Sequence, residues 1–329
     1  MNSEFNNFLE NKKKLCIIQA ENPDGDSLGS AIALDYLLKD KEISLYCPVD
    51  IPKYLRYFTD WSRVTNEFDF NADGYIIVDT AAAVLLSKLL DDAAIKNKLY
   101  SSPVLVIDHH ETPDDLDFQH TAIIKSLPAC CELVYELAKD NNITIEKPAA
   151  EAIMSGIMSD TLGFTSASMN SRTLQIAAEL VDLGVNISEL EERRREFMKK
   201  SPRILDYKAD LIKRIEYSLD GKLATVHITW DDIREFSDEY NPNVLILEEM
   251  RLIENVEVAV AIKTYPDGKV TGKIRTMLPI ADQIAGYFGG GGHQYAAGFR
   301  TYDTTYEDTV RELINITNQI MLETKKEEA

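Results

Sequence analysis

Three short apolar runs rich in β-branched residues each end in acids or imidazoles, and this recurrence limits the fold more than any other feature of the chain. Leu15-Cys16-Ile17-Ile18-Gln19-Ala20 leads into Asn22-Pro23-Asp24-Gly25-Asp26. Tyr75-Ile76-Ile77-Val78 leads into Asp79-Thr80, and Pro103-Val104-Leu105-Val106-Ile107 into Asp108-His109-His110. Runs of this kind read as buried strands. Open parallel sheets hold their chemistry at the carboxyl ends of the strands. Acids and imidazoles carried to one sheet edge by three strands therefore predict a metal site.

From about residue 15 to residue 185 apolar runs alternate with helical patterns, which predicts a parallel sheet with helices on both faces. Candidate strands lie near 15–20, 43–47, 75–79 and 103–107. Leu28 to Leu38 has helical spacing, and Pro148 opens a helix running toward Asp160. Ser171 is placed to cap a helix from Arg172 to Leu183 that Gly184 ends. Acids and bases alternate from Glu189 to Lys200, as on a solvated helix joining two domains. Beyond Pro202 and a second helical stretch, strands near 223–229, 256–264 and 270–276 precede one helix, a glycine run and a final helix over 304–321. The tail 325–329 is read as frayed. The expected architecture is α/β: a parallel-sheet N-terminal domain (1–187), a helical linker (188–215) and a smaller α+β C-terminal domain (216–329).

The formal charge of −20 over 329 residues excludes the basic track that long nucleic acid needs, although a short or single nucleotide remains compatible. No stretch approaches the roughly 20 apolar residues of a membrane span, and Met1 to Lys14 has no signal-peptide core. Cys16, Cys47, Cys130 and Cys131 lack framework spacing and are read as reduced core thiols of a cytoplasmic protein.

Each motif taken singly has a plain structural reading. Asp-Gly is a common turn pair, and an Asp at a strand end often caps a helix. Together, Asp24, Asp26, Asp79, Asp108, His109, His110 and Asp160 supply an oxygen-and-nitrogen shell suited to Mn²⁺ or a similar divalent ion. Without a cation such a cluster would repel itself.

Residues 15–185 resemble the DHH phosphoesterase superfamily. The resemblance rests on Asn22 to Ser30, Val78-Asp79-Thr80, Asp108-His109-His110 and Gly156-Ile157-Met158-Ser159-Asp160-Thr161, in the family order. It implies two metal ions, usually Mn²⁺ with Mg²⁺ or Co²⁺ as substitutes, bridged by Asp79. Asp24 would serve one ion, and Asp26, His109 and Asp160 the other. His110 would face the substrate phosphate, and Asp108 would orient the imidazoles. The chain departs from the family at Ala20, where many members carry a histidine ligand. Gln19, Glu21, Asn22 or water would have to fill that position.

Gly289-Gly290-Gly291-Gly292-His293 is costly in backbone entropy. Ligand contact through exposed amides would explain it, and a flexible loop is the plainer alternative. The stretch resembles the DHH-associated C-terminal domain. That likeness assigns substrate contacts to Gly290, Gly291, Gly292 and His293, and to Arg275 on the preceding strand. Arg suits a phosphate through its planar fork of donors.

The resemblance implies hydrolysis of short oligoribonucleotides, dinucleotides or 3′-phosphoadenosine-5′-phosphate through two-metal activation of water. It implies no long duplex and no membrane partner, and a homodimer through a packed surface is compatible with it. The competing readings are a manganese pyrophosphatase, a RecJ-like single-strand exonuclease and a nucleotide-binding sensor disabled at Ala20.

Overall fold

The computed structural model describes residues 2–110 and 113–327. The chain divides into two compact units, Met1–Lys199 and Lys200–Ala329.

In the first unit, α1 (Asn2–Leu9) precedes β1 (Lys14–Ile18), α2 (Gly25–Leu37), β2 (Glu42–Tyr46), β3 (Val64–Thr65) and β4 (Gly74–Val78). Then come α3 (Ser87–Asp91), α4 (Ala93–Tyr100), β5 (Val104–Asp108) and β6 (Thr121–Ile124). The unit closes with α5 (Cys130–Asp140), α6 (Lys147–Asp160), α7 (Ser171–Asp182) and α8 (Ile187–Phe197). The six strands form one sheet in the order β3-β2-β1-β4-β5-β6, and every pair is parallel. The chain works outward from β1, then crosses back to β4 and works outward the other way. The crevice at that reversal, beyond the carboxyl ends of β1 and β4, is where open sheets of this kind bind ligands.

Alternation along β1 divides the core. Leu15 and Ile17 join α1, α2, α5, α6 and α7 on one face, while Cys16, Ile18 and Ala20 join Leu86, Leu89, Ile95 and Leu99 of the α3–α4 region on the other. All four cysteines are buried and unpaired. The α7 cap is Asn170 rather than Ser171: its side-chain oxygen accepts the amides of Arg172 (2.8 Å) and Thr173 (3.2 Å). Ser171 is already the first helical residue.

The stretch 188–215 contributes one helix to each unit. In α8, Leu190 enters the first core, whereas α9 (Pro202–Lys213) puts Ile204, Tyr207 and Leu211 into a core of the second. The second unit continues with β7 (Glu216–Ser218), β8 (Leu223–Ile228), α10 (Trp230–Phe236), α11 (Pro242–Arg251), β9 (Val258–Thr264) and β10 (Val270–Thr276). It ends with α12 (Ala281–Tyr287), β11 (Gly291–His293), β12 (Ala296–Thr301) and α13 (Tyr306–Glu327). Its sheet runs β11-β12-β10-β9-β8-β7; only β8 and β9 pair parallel. Helix α13 outruns the expected end at 321 and includes 325–327; Glu328 and Ala329 lie outside the described residues. No helix among the described residues is long and apolar enough to cross a membrane.

Candidate metal centre

Asp26 is placed by two helices at once. It lies in the first turn of α2, and its carboxylate accepts the amides of Cys130 and Cys131 (2.9 Å for the latter) in the first turn of α5. Both helix ends present partial positive charge to a buried anion. Close packing of α2 on α6 then carries Asp160 toward it. A side chain at Gly29 would meet the Ala152 carbonyl oxygen at 2.8 Å, and one at Gly156 would strike Cys131 and come within 3.1 Å of Asp26 Oδ1.

Asp79 follows β4 with φ of +65°, a left-handed conformation that Asp tolerates better than most residues. His109 follows β5 and directs Nδ1 at the Leu127 carbonyl oxygen, 2.8 Å away. With Nδ1–H donating there, Nε2 is the ring nitrogen turned to the carboxylates. Nε2 lies 3.2 Å from Asp79 Oδ1, 3.5 Å from Asp160 Oδ2 and 3.7 Å from Asp26 Oδ2. Two groups of ligand atoms emerge, each spanning no more than 4.8 Å: Asp26, His109 and Asp160, and Asp79, His109 and His110. Asp79 Oδ1 and His109 Nε2 are buried with no hydrogen-bond partner. Orphaned acceptors of this kind, in an oxygen-and-nitrogen donor set, fit a divalent cation.

The electrostatics agree. Burial and the charge of Asp26 push the Asp79 carboxyl well above its ordinary range. Burial, with Asp26 and Asp24 nearby, raises Asp160 to about 8, and burial raises Asp26. Burial alone would lower the His109 imidazole, but Asp79 and Asp26 outweigh it and take it up to about 10. The carboxylates are thus crowded beyond what one imidazole neutralises.

Asp108 plays a different part. Its Oδ1 accepts from the His109 amide (2.7 Å), the His110 amide (3.2 Å) and His110 Nδ1 (2.7 Å). These contacts hold its carboxyl low despite burial. Asp108 therefore fixes the His110 imidazole and the main chain of both histidines from behind. Asp24 is the outlying member. Its Oδ1 caps α2, accepting the amides of Asp26 (3.0 Å) and Ser27 (2.9 Å), and it belongs to neither ligand group. A cavity of about 600 Å³ opens beside it, lined in part by Gly25, Tyr54, Ser159, Leu162 and Arg194.

Ala20 packs with the apolar residues of the α3–α4 face. Of its neighbours, Glu21 is committed elsewhere, accepting from Ser87 Oγ (2.9 Å) and the Lys88 amide (2.7 Å). Gln19 is fully buried with neither amide atom hydrogen-bonded. The Cys130 and Cys131 amides, the Leu127 carbonyl and the close-packed Gly156 escape sequence reasoning, because main-chain groups and helix–helix approach leave no side-chain signature.

In the second unit the glycine run is an edge strand rather than an open loop. Gly289 has φ of +71° and Gly292 of +145°. A Cβ at Gly290 would collide with the Gly298 carbonyl and stand 2.7 Å from the Phe299 Cα; one at Gly292 would stand 2.6 Å from the Ala297 Cα. Only Gly291 of the four has neither a positive φ nor a neighbour in reach of a Cβ. The side chain of His293 lies outside the described residues. Arg275 is half-buried on β10, and its guanidinium donates to the Ile274 carbonyl at 3.0 Å.

Residues 14–157 match the family model described as "DHH family, N-terminal domain". The chain is 27% identical over 282 residues to the bifunctional oligoribonuclease and PAP phosphatase NrnA of Thermus thermophilus, covering 84% of this chain and 80% of that one. It is 27% identical over 244 residues to a probable manganese-dependent inorganic pyrophosphatase of Enterococcus faecalis, covering 68% and 74%. An exopolyphosphatase-related protein of Bacteroides fragilis shares the fold, with a TM-score of 0.83 at 23% identity over 98% of this chain and 95% of that one.

Proposed function

We propose, from the match of residues 14–157 to the DHH family N-terminal domain, that the chain is a divalent-metal phosphoesterase acting on short oligoribonucleotides, dinucleotides or 3′-phosphoadenosine-5′-phosphate. The observation that carries this reading is the buried pair Asp79 Oδ1 and His109 Nε2, 3.2 Å apart and without other hydrogen-bond partners, with His109 common to both groups of ligand atoms. The Thermus relative's name supplies the substrate class.

Two ions, most naturally Mn²⁺, would be held among Asp24, Asp26, Asp79, His109 and Asp160, with the single free nitrogen of His109, Nε2, serving one of them. Bound divalent ions supply a water of lowered pKa and positive charge for the phosphoryl oxygens. The protein does the rest. Asp108 holds the His110 ring through Nδ1 and leaves its Nε2 unengaged for the substrate, and the Leu127 carbonyl keeps His109 in the tautomer that presents Nε2. Arg275, Gly290, Gly291, Gly292 and His293 are the second unit's candidates for the rest of the substrate.

The test is product formation from a 5′-phosphorylated RNA dinucleotide, from 3′-phosphoadenosine-5′-phosphate and from pyrophosphate, with and without Mn²⁺. Release of mononucleotide or phosphate from either of the first two, only with metal, is expected. Turnover of pyrophosphate alone would transfer the chain to the activity named for its Enterococcus relative. Ligand binding without turnover at any Mn²⁺ concentration would make it a sensor.

A further inference from the structure

In a chain of net charge −20, unneutralised cations are the anomaly to explain, and Lys263, Lys273 and Arg275 lie together on one face of the second sheet, with exposed Arg300 opposite Thr271 on the same face. Antiparallel register sets Arg275 opposite Ala259, Lys273 opposite Ala261 and Thr271 opposite Lys263, so Lys263, Lys273 and Arg275 project to the same side. The other side of these strands carries Val258, Val260, Ile262, Val270 and Ile274 into a separate apolar core.

Among the described residues, none of the three forms an ion pair. Lys263 is only 8% exposed, and its Nζ meets a neutral acceptor, Asn241 Oδ1, at 3.1 Å. That same oxygen accepts the Asn243 amide at the start of α11. Lys273 is exposed and lies across Gly298, where an added Cβ would stand 3.3 Å from its Nζ. Glu248, the carboxylate that acts on Arg275, is itself paired with Arg251 at 3.1 Å. Burial, with Lys273 nearby, lowers the Lys263 amine to about 8. A buried lysine without a carboxylate costs stability, and such a cost is retained where a ligand uses the charge.

The reading above gives Arg275 one phosphate of the substrate and leaves both lysines without work. We propose that Lys273 and Lys263 form a second anion subsite on this sheet face, which receives a further phosphate of the same oligonucleotide. The inference rests on the role proposed for Arg275. Residues two apart on one strand are separated by about 6.8 Å, a step suited to successive phosphates of an extended single strand. On the β9 side Ala259 and Ala261 are buried under α11 in a second apolar core, so the strand would follow the β12 flank, where Ala296 and Gly298, opposite Arg275 and Lys273, are small and half-buried.

The experiment titrates the full-length protein in chelator, so that nothing is hydrolysed, with inorganic tripolyphosphate and with 5′-phosphorylated RNA of two and three nucleotides. Lys263→Met and Lys273→Gln are each expected to weaken tripolyphosphate and trinucleotide binding about tenfold while the dinucleotide is held as before. Lys263→Met is also expected to keep or raise Tm, since it removes a buried unpaired charge. Unchanged binding of every ligand in both variants overturns the subsite. So does a lowered Tm of Lys263→Met with tripolyphosphate binding intact, which would make that lysine structural. If tripolyphosphate depends on the lysines but neither RNA binds, the subsite stands as a polyphosphate site and the oligonucleotide reading falls.

Discussion

His109 Nδ1 meets the Leu127 carbonyl oxygen at 2.8 Å while its Nε2 stands 3.2 Å from Asp79 Oδ1. One ring thus links the sheet edge to the chain entering α5 and turns its remaining nitrogen to the acidic cluster. The consequences of that arrangement can be measured.

Asp79→Ala is expected to abolish metal-dependent turnover, by at least about a thousandfold if the carboxylate serves both ions. The same change relieves crowding among buried acids, so the chelated variant should melt higher than the chelated parent. Turnover assays and thermal unfolding in chelator check both halves. Near-normal turnover would remove the two-metal model.

Stability of the chelated protein should fall as pH rises from about 5 to about 9. Asp160 titrates near 8 when folded and about 3.9 when unfolded. Between those values the folded state holds a proton that the unfolded state has lost, so each step up in pH favours unfolding. The raised carboxyls of Asp26 and Asp79 act in the same direction. The His109 contribution, full below about 6.5, is lost as pH rises through about 10. Mn²⁺ needs these carboxylates deprotonated, so saturating metal should flatten or reverse the slope. Parallel melting series with chelator and with Mn²⁺ decide it; identical slopes would show that metal does not bind here.

Arg275→Ala should raise KM for the dinucleotide about tenfold or more while leaving Mn²⁺ affinity unchanged, because the residue belongs to the second unit. Steady-state kinetics beside a metal titration separate the two. An unaltered KM would end the assignment.

The glycine run should divide under mutation. Gly290→Ala and Gly292→Ala place a Cβ against the β12 main chain and are expected to lower Tm by several degrees. Gly291→Ala meets open space and a negative φ, so it should fold normally. Any loss of substrate affinity in that variant reports ligand contact. Equal melting of all three would contradict the packing account.

Much of the first unit is legible because β1, β4 and β5 are apolar and β-branched, and burial on both faces demands that composition. Two-residue β3 and the edge strand β6, with Ile124 exposed, carry too little pattern to be seen. Strand β11 is invisible for another reason. Glycine disfavours strands, and only pairing with β12 makes Gly291 and Gly292 extended partners. At the centre, the residue types announce metal chemistry, yet Asp24 could be seen as a helix cap only once α2 was in place. Ala20 likewise faces the apolar side because strand alternation puts it there.

The ligand group Asp26, His109 and Asp160 gathers side chains from near the start, the middle and the end of the first unit's α/β region. An ion held there is a reversible cross-link across nearly the whole of that fold. It would shrink the unfolded ensemble as a long-range disulfide does, in a chain whose four thiols are all buried and unpaired. Metal supply would then set the lifetime of the protein against proteolysis as well as its activity.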